Sequence, residues 1–353
     1  MGRLNKLKED IPIIKSYKFW IGFIIIFGLI ISSIVFELSF NSKIRQVQAI
    51  YDENGYPISS APYEPSLMFP FGTDALGYDT GMKILEGAKF TLLSVLGISF
   101  LRILFSFVLA IPLTFFVSDR IRRMLDQLLS SFYFIPLTII AVFLLTPVLW
   151  EQLRMPGWEE YFIYTFNQRI WLEVFILTIL VIPLLGSTIG NILALILKED
   201  FIVGAHILGA SKWRIFIKHV IPHLLPKLVI VWCQQCVQLL IIFMHLGYFK
   251  LFFGGTDVDY NPYVPDPPVS LSNEWSGLIG DYYNLITVNP SIALGPIIMF
   301  GIAIYAFQLI GEGIQHHLQT RHNKKVKRDR MSGKQNPVSE RRLSFDFVHK
   351  RGA

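Results

Sequence analysis

Apolar runs long enough to cross a bilayer recur along this chain, and no other feature constrains it as strongly. They lie within residues 19–36, 90–117, 128–150, 172–197, 228–249 and 292–310. At ~1.5 Å rise per residue, about 20 helical residues cover a hydrocarbon core of roughly 30 Å. Backbone N–H and C=O groups in lipid must be satisfied within their own segment, so these runs predict helices. The expected fold is therefore all-α, a polytopic membrane protein with about six transmembrane helices. Composition agrees: 16% of residues are charged and 52% hydrophobic, where an average soluble domain carries roughly 25% charged residues.

The first run exceeds the roughly 7 to 15 residues of a signal-peptide core and no small-x-small cleavage site follows it, so it reads as an uncleaved anchor. The expected organisation is a cytoplasmic segment 1–18, a first transmembrane helix 19–37, an extracellular segment 38–89 rich in turn formers, a five-helix core 90–311 and a basic tail 312–353. Pro112, Pro136, Pro147, Pro183 and Pro296 fall inside the later runs and predict kinks.

Loop charge sets the expected orientation, because connections on the cytoplasmic side carry the excess of Lys and Arg. Arg3, Lys6, Lys8, Lys15 and Lys18 precede the first run, Arg120, Arg122 and Arg123 follow the second, and Lys198, Lys212, Arg214, Lys218 and Lys227 follow the fourth. Residues 254–288 contain Asp257, Asp259, Asp266, Glu274 and Asp281 but no Lys or Arg. Both termini are thus expected in the cytoplasm. The tail from Arg321 to Arg351 suits a topology anchor or a patch for anionic lipid. The high isoelectric point is accounted for by these loops, without a nucleic-acid partner.

Residues 198–227 form the most informative connection. Gly209 and Ala210 interrupt an amphipathic stretch, and Pro222 and Pro226 frame the approach to the fifth run. A helix-turn-helix able to project from the bilayer and dock in a partner's groove is expected there. The run from Gly204 to Ser211 nearly fits a phosphate-binding loop, but Ala210 stands where the Lys must be.

Within the loop 198–228, the run from Ile207 to Pro226 resembles the cytoplasmic coupling loop of binding-protein-dependent ABC importer permeases, and across the loop Val203, Gly204, Ala205, Gly209, Ala210, Ile221 and Pro222 stand at the matching positions. The usual Glu of that loop is replaced by Val203. Before the second run, Gly72, Thr73, Asp74, Gly77, Asp79 and Gly87 match a GTDxxGRD-type stretch of the oligopeptide, dipeptide and nickel permeases, with Tyr78 in place of Arg. Trp275, Gly277, Tyr283, Leu309, Gly311, Glu312 and Gly313 carry a third likeness towards the end of the chain. The resemblance implies the C-type subunit and a MetI-like core. It further implies a B-type permease partner, two cytoplasmic ATPase subunits that bind ATP, and an extracytoplasmic substrate-binding protein. Peptide uptake by ATP-driven alternating access is the implied function, with nickel or a metal chelate as the alternative substrate. No cofactor and no catalysis in this chain are implied.

Arg102 lies near the middle of the second run, where a charge costs roughly 2.5 to 3.5 kcal/mol. It either lines a pathway and attracts a peptide carboxylate, or is held within the bundle by an internal ion pair or by hydrogen bonds to helix carbonyls. Gln234, Gln238 and His245 share a helical face of the fifth run and either line a cavity or join helices. Asp74 and Asp79 suit contact with a docked binding protein or turn formation equally. Cys233 and Cys236 read as packing residues, since zinc would want two further ligands. His206, His219 and His223 read as decoration of a basic loop. Neither HExxH nor GxSxG occurs, and no internal repeat suggests a secondary transporter. A non-transporting scaffold or sensor derived from a permease remains the reading of another class.

Overall fold

The computed structural model describes residues 16–331, apart from 53–55, 132–133, 151, 155–158, 258–268, 271, 273 and 288. Arg3, Lys6, Lys8, Lys15, Asp259, Asp266 and the tail beyond Met331 lie outside the described residues.

The first anchor is α1 (Tyr17–Phe40), ended by Asn41 in the left-handed region at φ 48°. A small hairpin follows, β1 (Ala49–Tyr51) antiparallel to β2 (Pro57–Ser60). α2 (Thr80–Phe115) is the longest uninterrupted span of the middle of the chain. It begins ten residues before the expected boundary at 90, because Asp79 caps it, accepting from the backbone N–H groups of Gly81 and Met82. α1 crosses α2 where Ser33 donates to the Glu86 carbonyl at 2.9 Å and Glu37 pairs with Lys89 at 2.9 Å.

The third expected span is two helices: α3 (Asp119–Ser131) and α4 (Leu137–Leu149). Hydropathy averaged over 128–150 hides this, whereas Pro136 at the start of α4 supplies no N–H to continue a helix from before it. Arg120, Arg122 and Arg123 therefore sit within α3 and not in a loop. The fourth expected span is likewise divided, into α5 (Phe166–Ile179) and α6 (Ile182–Leu197), bent by 44°. Pro183 opens α6 where a kink inside one helix was expected. The two interruptions lie side by side, since Leu137, Leu180 and Val181 share one apolar cluster with Ala110 and Val231.

After α7 (Asp200–Ile207) and α8 (Lys212–Ile215), a π-helical turn (Phe216–Val220) leads into α9 (Ile221–Tyr248). The short α10 (Trp275–Tyr282) packs on the end of α9, and α11 (Pro290–Met331) completes the bundle. Helix α11 runs well past residue 311, so the first part of the expected tail continues the last span. Two further two-stranded hairpins, β3 (Gln152–Arg154) with β4 (Glu159–Tyr161) and β5 (Thr256–Asp257) with β6 (Val269–Ser270), lie in connections.

Among the described residues four helices are long and apolar enough to cross a membrane, and the bent pair α5–α6 makes a fifth. The 13 residues of α4 cover only about 20 Å, so α4 alone falls short of the sixth expected crossing. One apolar core joins α1, α2, α4, α9, α10 and α11 through Ile26, Leu92, Leu145, Phe243, Trp275 and Phe307. Backbones approach closely where side chains vanish: a Cβ on Gly22 of α1 would lie 2.3 Å from the Ala306 carbonyl oxygen of α11.

Candidate functional site

The projecting element is built by local rules. Helix α7 ends in a Schellman motif: Gly209 takes φ +80°, its N–H donates to His206 O at 3.0 Å, and the Ala210 N–H reaches Ala205 O at 3.1 Å. Ser211 then caps α8, accepting from the Arg214 N–H at 3.4 Å. The pair stands on a small core of Leu193, Ile196, Ile202, Ile215, Val220 and Leu224. Phe201 stacks on His223 with ring centroids 4.7 Å apart, and Phe216 meets Phe115 at the end of α2. Its tip remains apolar and open, with Ile207 81%, Leu208 88% and Trp213 71% exposed. Val203 and Gly209 are exposed, Gly204, Ala205, Ala210 and Ile221 half-buried, and Pro222 exposed within the first turn of α9.

Arg102 exposes none of its surface, so in this conformation it offers nothing to a pathway. Its Nε donates to the Leu177 carbonyl at 2.8 Å, and Nη1 reaches Gln235 Oε1 at 3.3 Å and Gln238 Oε1 at 3.4 Å. Leu177 is in the last turn of α5, where the Val181 N–H that would reach its carbonyl in a continued helix donates to Thr178 O at 3.3 Å instead. One turn along α2, Ser106 donates to Ile182 O at 3.4 Å. Arg102 and Ser106 thus satisfy the backbone on both sides of the break. Gln235, which sequence reading left aside because it is off the Gln234 face, is the buried partner.

Gln234, Gln238 and His245 do share a face of α9, and Gln234 and His245 are exposed on it. Gln234 also lines a groove of ≈ 300 Å³ between α9 and α11, together with Cys233, Gln308, Glu312 and Gln315. Cys236 is buried, 3.1 Å from the Ser99 hydroxyl.

The residues before α2 are spent on folding the loop. Asp74 Oδ1 accepts from the N–H groups of Leu76 at 3.0 Å and Tyr78 at 2.8 Å, and Oδ2 pairs with Lys83 at 2.6 Å. Asp79 pairs with Arg45 at 2.6 Å besides capping α2. Thr73 Oγ1 accepts from the Tyr63 N–H at 2.8 Å. Gly72 and Gly77 adopt φ +80° and +81°, and a Cβ on Gly77 would strike the Val47 carbonyl oxygen at 2.2 Å. With Asp74 and Asp79 both buried, turn formation accounts for this motif's side chains.

Two clasps went unread in the sequence. Arg169 and Glu173, one turn apart on α5, hold the turn after α9: Arg169 Nε donates to Gly254 O at 2.7 Å, and Glu173 accepts from the Gly254 N–H at 3.2 Å. Their spacing on one helical face was the available signal. Trp275, whose indole N–H donates to Ile84 O at 2.8 Å, pins α10 to α2. Beside it Glu274 accepts from Phe253 N–H, Gly277 N–H and the Ser276 hydroxyl. Burial pushes the Glu274 carboxyl up against the pull of those bonds, and burial pushes Asp281 up to about 8 despite the Lys83 charge.

An all-helical bundle of spans, two of them interrupted at one level and one leading straight into a projecting helix-turn-helix, is the build of a transport subunit driven by a partner. Residues 76–250 match the family described as binding-protein-dependent transport system inner membrane component. Through that segment the chain belongs to this family and is a permease subunit of an ATP-binding-cassette importer. Such permeases are multi-pass proteins of the plasma membrane, are not themselves catalytic and work with ATPase and binding-protein partners. The chain is 23% identical over 274 residues to the glutathione transport system permease protein GsiD of Escherichia coli O1:K1 and of Escherichia coli O157:H7, and 22% identical to that of Shigella dysenteriae serotype 1. Each alignment covers 76% of this chain and 78% of the relative.

Proposed function

We propose that this subunit forms half of a translocation pathway for short peptides, opened by alternating access when ATP closes a pair of cytoplasmic ATPases. The observation that carries this reading is the α7–α8 projection, whose apolar tip of Ile207, Leu208 and Trp213 is exposed while its base is continuous with α9. A push on that tip moves a whole span, because the π turn passes directly into α9. Val203, Gly204, Ala205, Gly209, Ala210, Ile221 and Pro222 make the coupling surface. Glutathione is a tripeptide, so the relatives' printed substrate supports the short-peptide class over a metal chelate. A B-type permease supplies the other half of the pathway, and a binding protein delivers the peptide on the opposite side. The basic projection and both termini face the cytoplasm, and the acidic, Lys- and Arg-free connection 254–288 faces outward.

Val203 in place of an acidic residue favours one other reading, a scaffold that no longer couples to an ATPase. Purifying the tagged chain in mild detergent with its partners separates the two. Recovery of a second permease and ATPases, with turnover stimulated by binding protein plus peptide and abolished by Trp213→Ala, supports the importer. A chain that binds no ATPase supports the scaffold.

A further inference from the structure

Helix α3 carries a feature that an ordinary membrane helix does not. It is amphipathic, yet it packs against an apolar helix: Asp126 accepts from Ser187 and, at 3.2 Å, from Asn191 Nδ2, both near the middle of α6. At about 100° per residue, Ile121, Met124 and Leu128 form one stripe, and Arg120, Arg123 and Gln127 form a second beside it. Both stripes are exposed. Ser130 and Ser131, further along, return their hydroxyls to the carbonyls of Asp126 and Gln127. Lipid is a poor neighbour for the second stripe, since an Arg at depth costs roughly 2.5 to 3.5 kcal/mol. Water is a good one.

We propose that the Arg120, Arg123 and Gln127 stripe of α3 is a cationic wall of the water-filled half of the pathway nearest the α7–α8 projection, facing solutes that bear a carboxylate. The Ile121, Met124 and Leu128 stripe meets lipid or the partner permease. Helix α3 follows the end of α2, where Phe115 meets Phe216 beside the projection, and it precedes α4, whose Leu137 shares the apolar cluster of Val181 at the break. Broken helices near the membrane midplane are where transporters place polar ligand contacts. This inference rests on the proposed transport function, and it adds the charge preference and the residues.

Thiol accessibility in the assembled complex in membrane vesicles tests it. Gln127→Cys and, as controls, Met124→Cys and Leu128→Cys are treated with an anionic sulfonatoethyl and a cationic trimethylammonium-ethyl methanethiosulfonate, with the unmodified chain as baseline for its buried thiols. The expected result is rapid labelling at 127 and little at 124 and 128. The ratio of anionic to cationic rates at 127 should fall about two- to fivefold when Arg120→Gln and Arg123→Gln are added, as one or two charges within roughly 10 Å in water would produce. An inert thiol at 127 overturns the wall and makes the stripe a protein contact, whereas labelling at 124 and 128 equal to that at 127 overturns it by making α3 a helix solvated on both stripes. A ratio unmoved by the Arg substitutions overturns its charge. Labelling that follows the expected pattern in a complex whose ATPase ignores peptide leaves the wall standing and removes the peptide importer.

Discussion

Single residues before α2 carry more structural duty than their place in a loop suggests. Asp79 caps a 36-residue span and pairs with Arg45. Asp79→Ala should lower stability in detergent by about 1 to 2 kcal/mol, the usual cost of a lost cap. Asp79→Asn, which keeps a capping oxygen but not the charge, should cost less, and thermal unfolding compares the two. Asp281 has the opposite character, with Oδ1 buried and unpartnered. Its pKa rises from 3.8 to about 8, so the folded protein keeps a proton that the unfolded chain releases. That contribution is most favourable below pH 3.8 and declines as pH rises to about 8. Asp281→Asn should therefore flatten the loss of melting temperature between pH 5 and pH 8. Aspartates beside glycines announce a turn in the sequence itself, and Asp74 does bind its own loop. Arg169 and Glu173 could not be assigned a partner that way, because Gly254 is 85 and 81 residues distant and only the packed bundle brings it near.

Elements are set by where helices stop, and here hydropathy is a poor guide. An apolar window over 128–150 averages across Pro136, and one over 172–197 averages across Leu180 and Val181, so each reads as one span. The positions of the spans were legible and their continuity was not. Charge gave the missing signal for α3, since Arg120, Arg122 and Arg123 were assigned to a loop when their spacing also fits a helix with Asp126. The helix-turn-helix after the fourth run was legible down to its turn, because Gly209 supplies a backbone conformation that few other residues tolerate. The α1–α11 contact depends on Gly22 in the same steric sense. Gly22→Leu should force the helices apart, and a Lys18→Cys with Glu312→Cys crosslink, made at an ion pair now 2.7 Å long, should form in the parent and fail in that variant. The Lys18–Glu312 pair itself is half exposed and stabilises little.

At the scale of the molecule, the bundle divides at the level of its two breaks. On one side α6, the α7–α8 projection and the start of α9 share a small core, with α3 bonded to α6 through Asp126, and on the other α10 and the Gly254 turn are clasped to α2 and α5. The proposed orientation predicts that a thiol placed at Trp213 and a tag on residues 332–353 are reached from the same face of sealed vesicles. A site introduced at Asp257 should be reached only from the other face. Access to all three from one side would refute it. Arg102 sits where the two units meet, and Arg102→Met should leave the Leu177 carbonyl unsatisfied and raise the susceptibility of the assembled complex to unfolding by denaturant, while Ser106→Ala should do so less.

The Arg102 bonds also bear on biogenesis. A ribosome delivers Arg102 to the bilayer 75 residues before Leu177 and 133 before Gln235, so the second span arrives with a charge and no acceptor. Until Leu177 brings its carbonyl, and Gln235 and Gln238 their side chains, the charge on that helix costs roughly 2.5 to 3.5 kcal/mol at the centre of a bilayer.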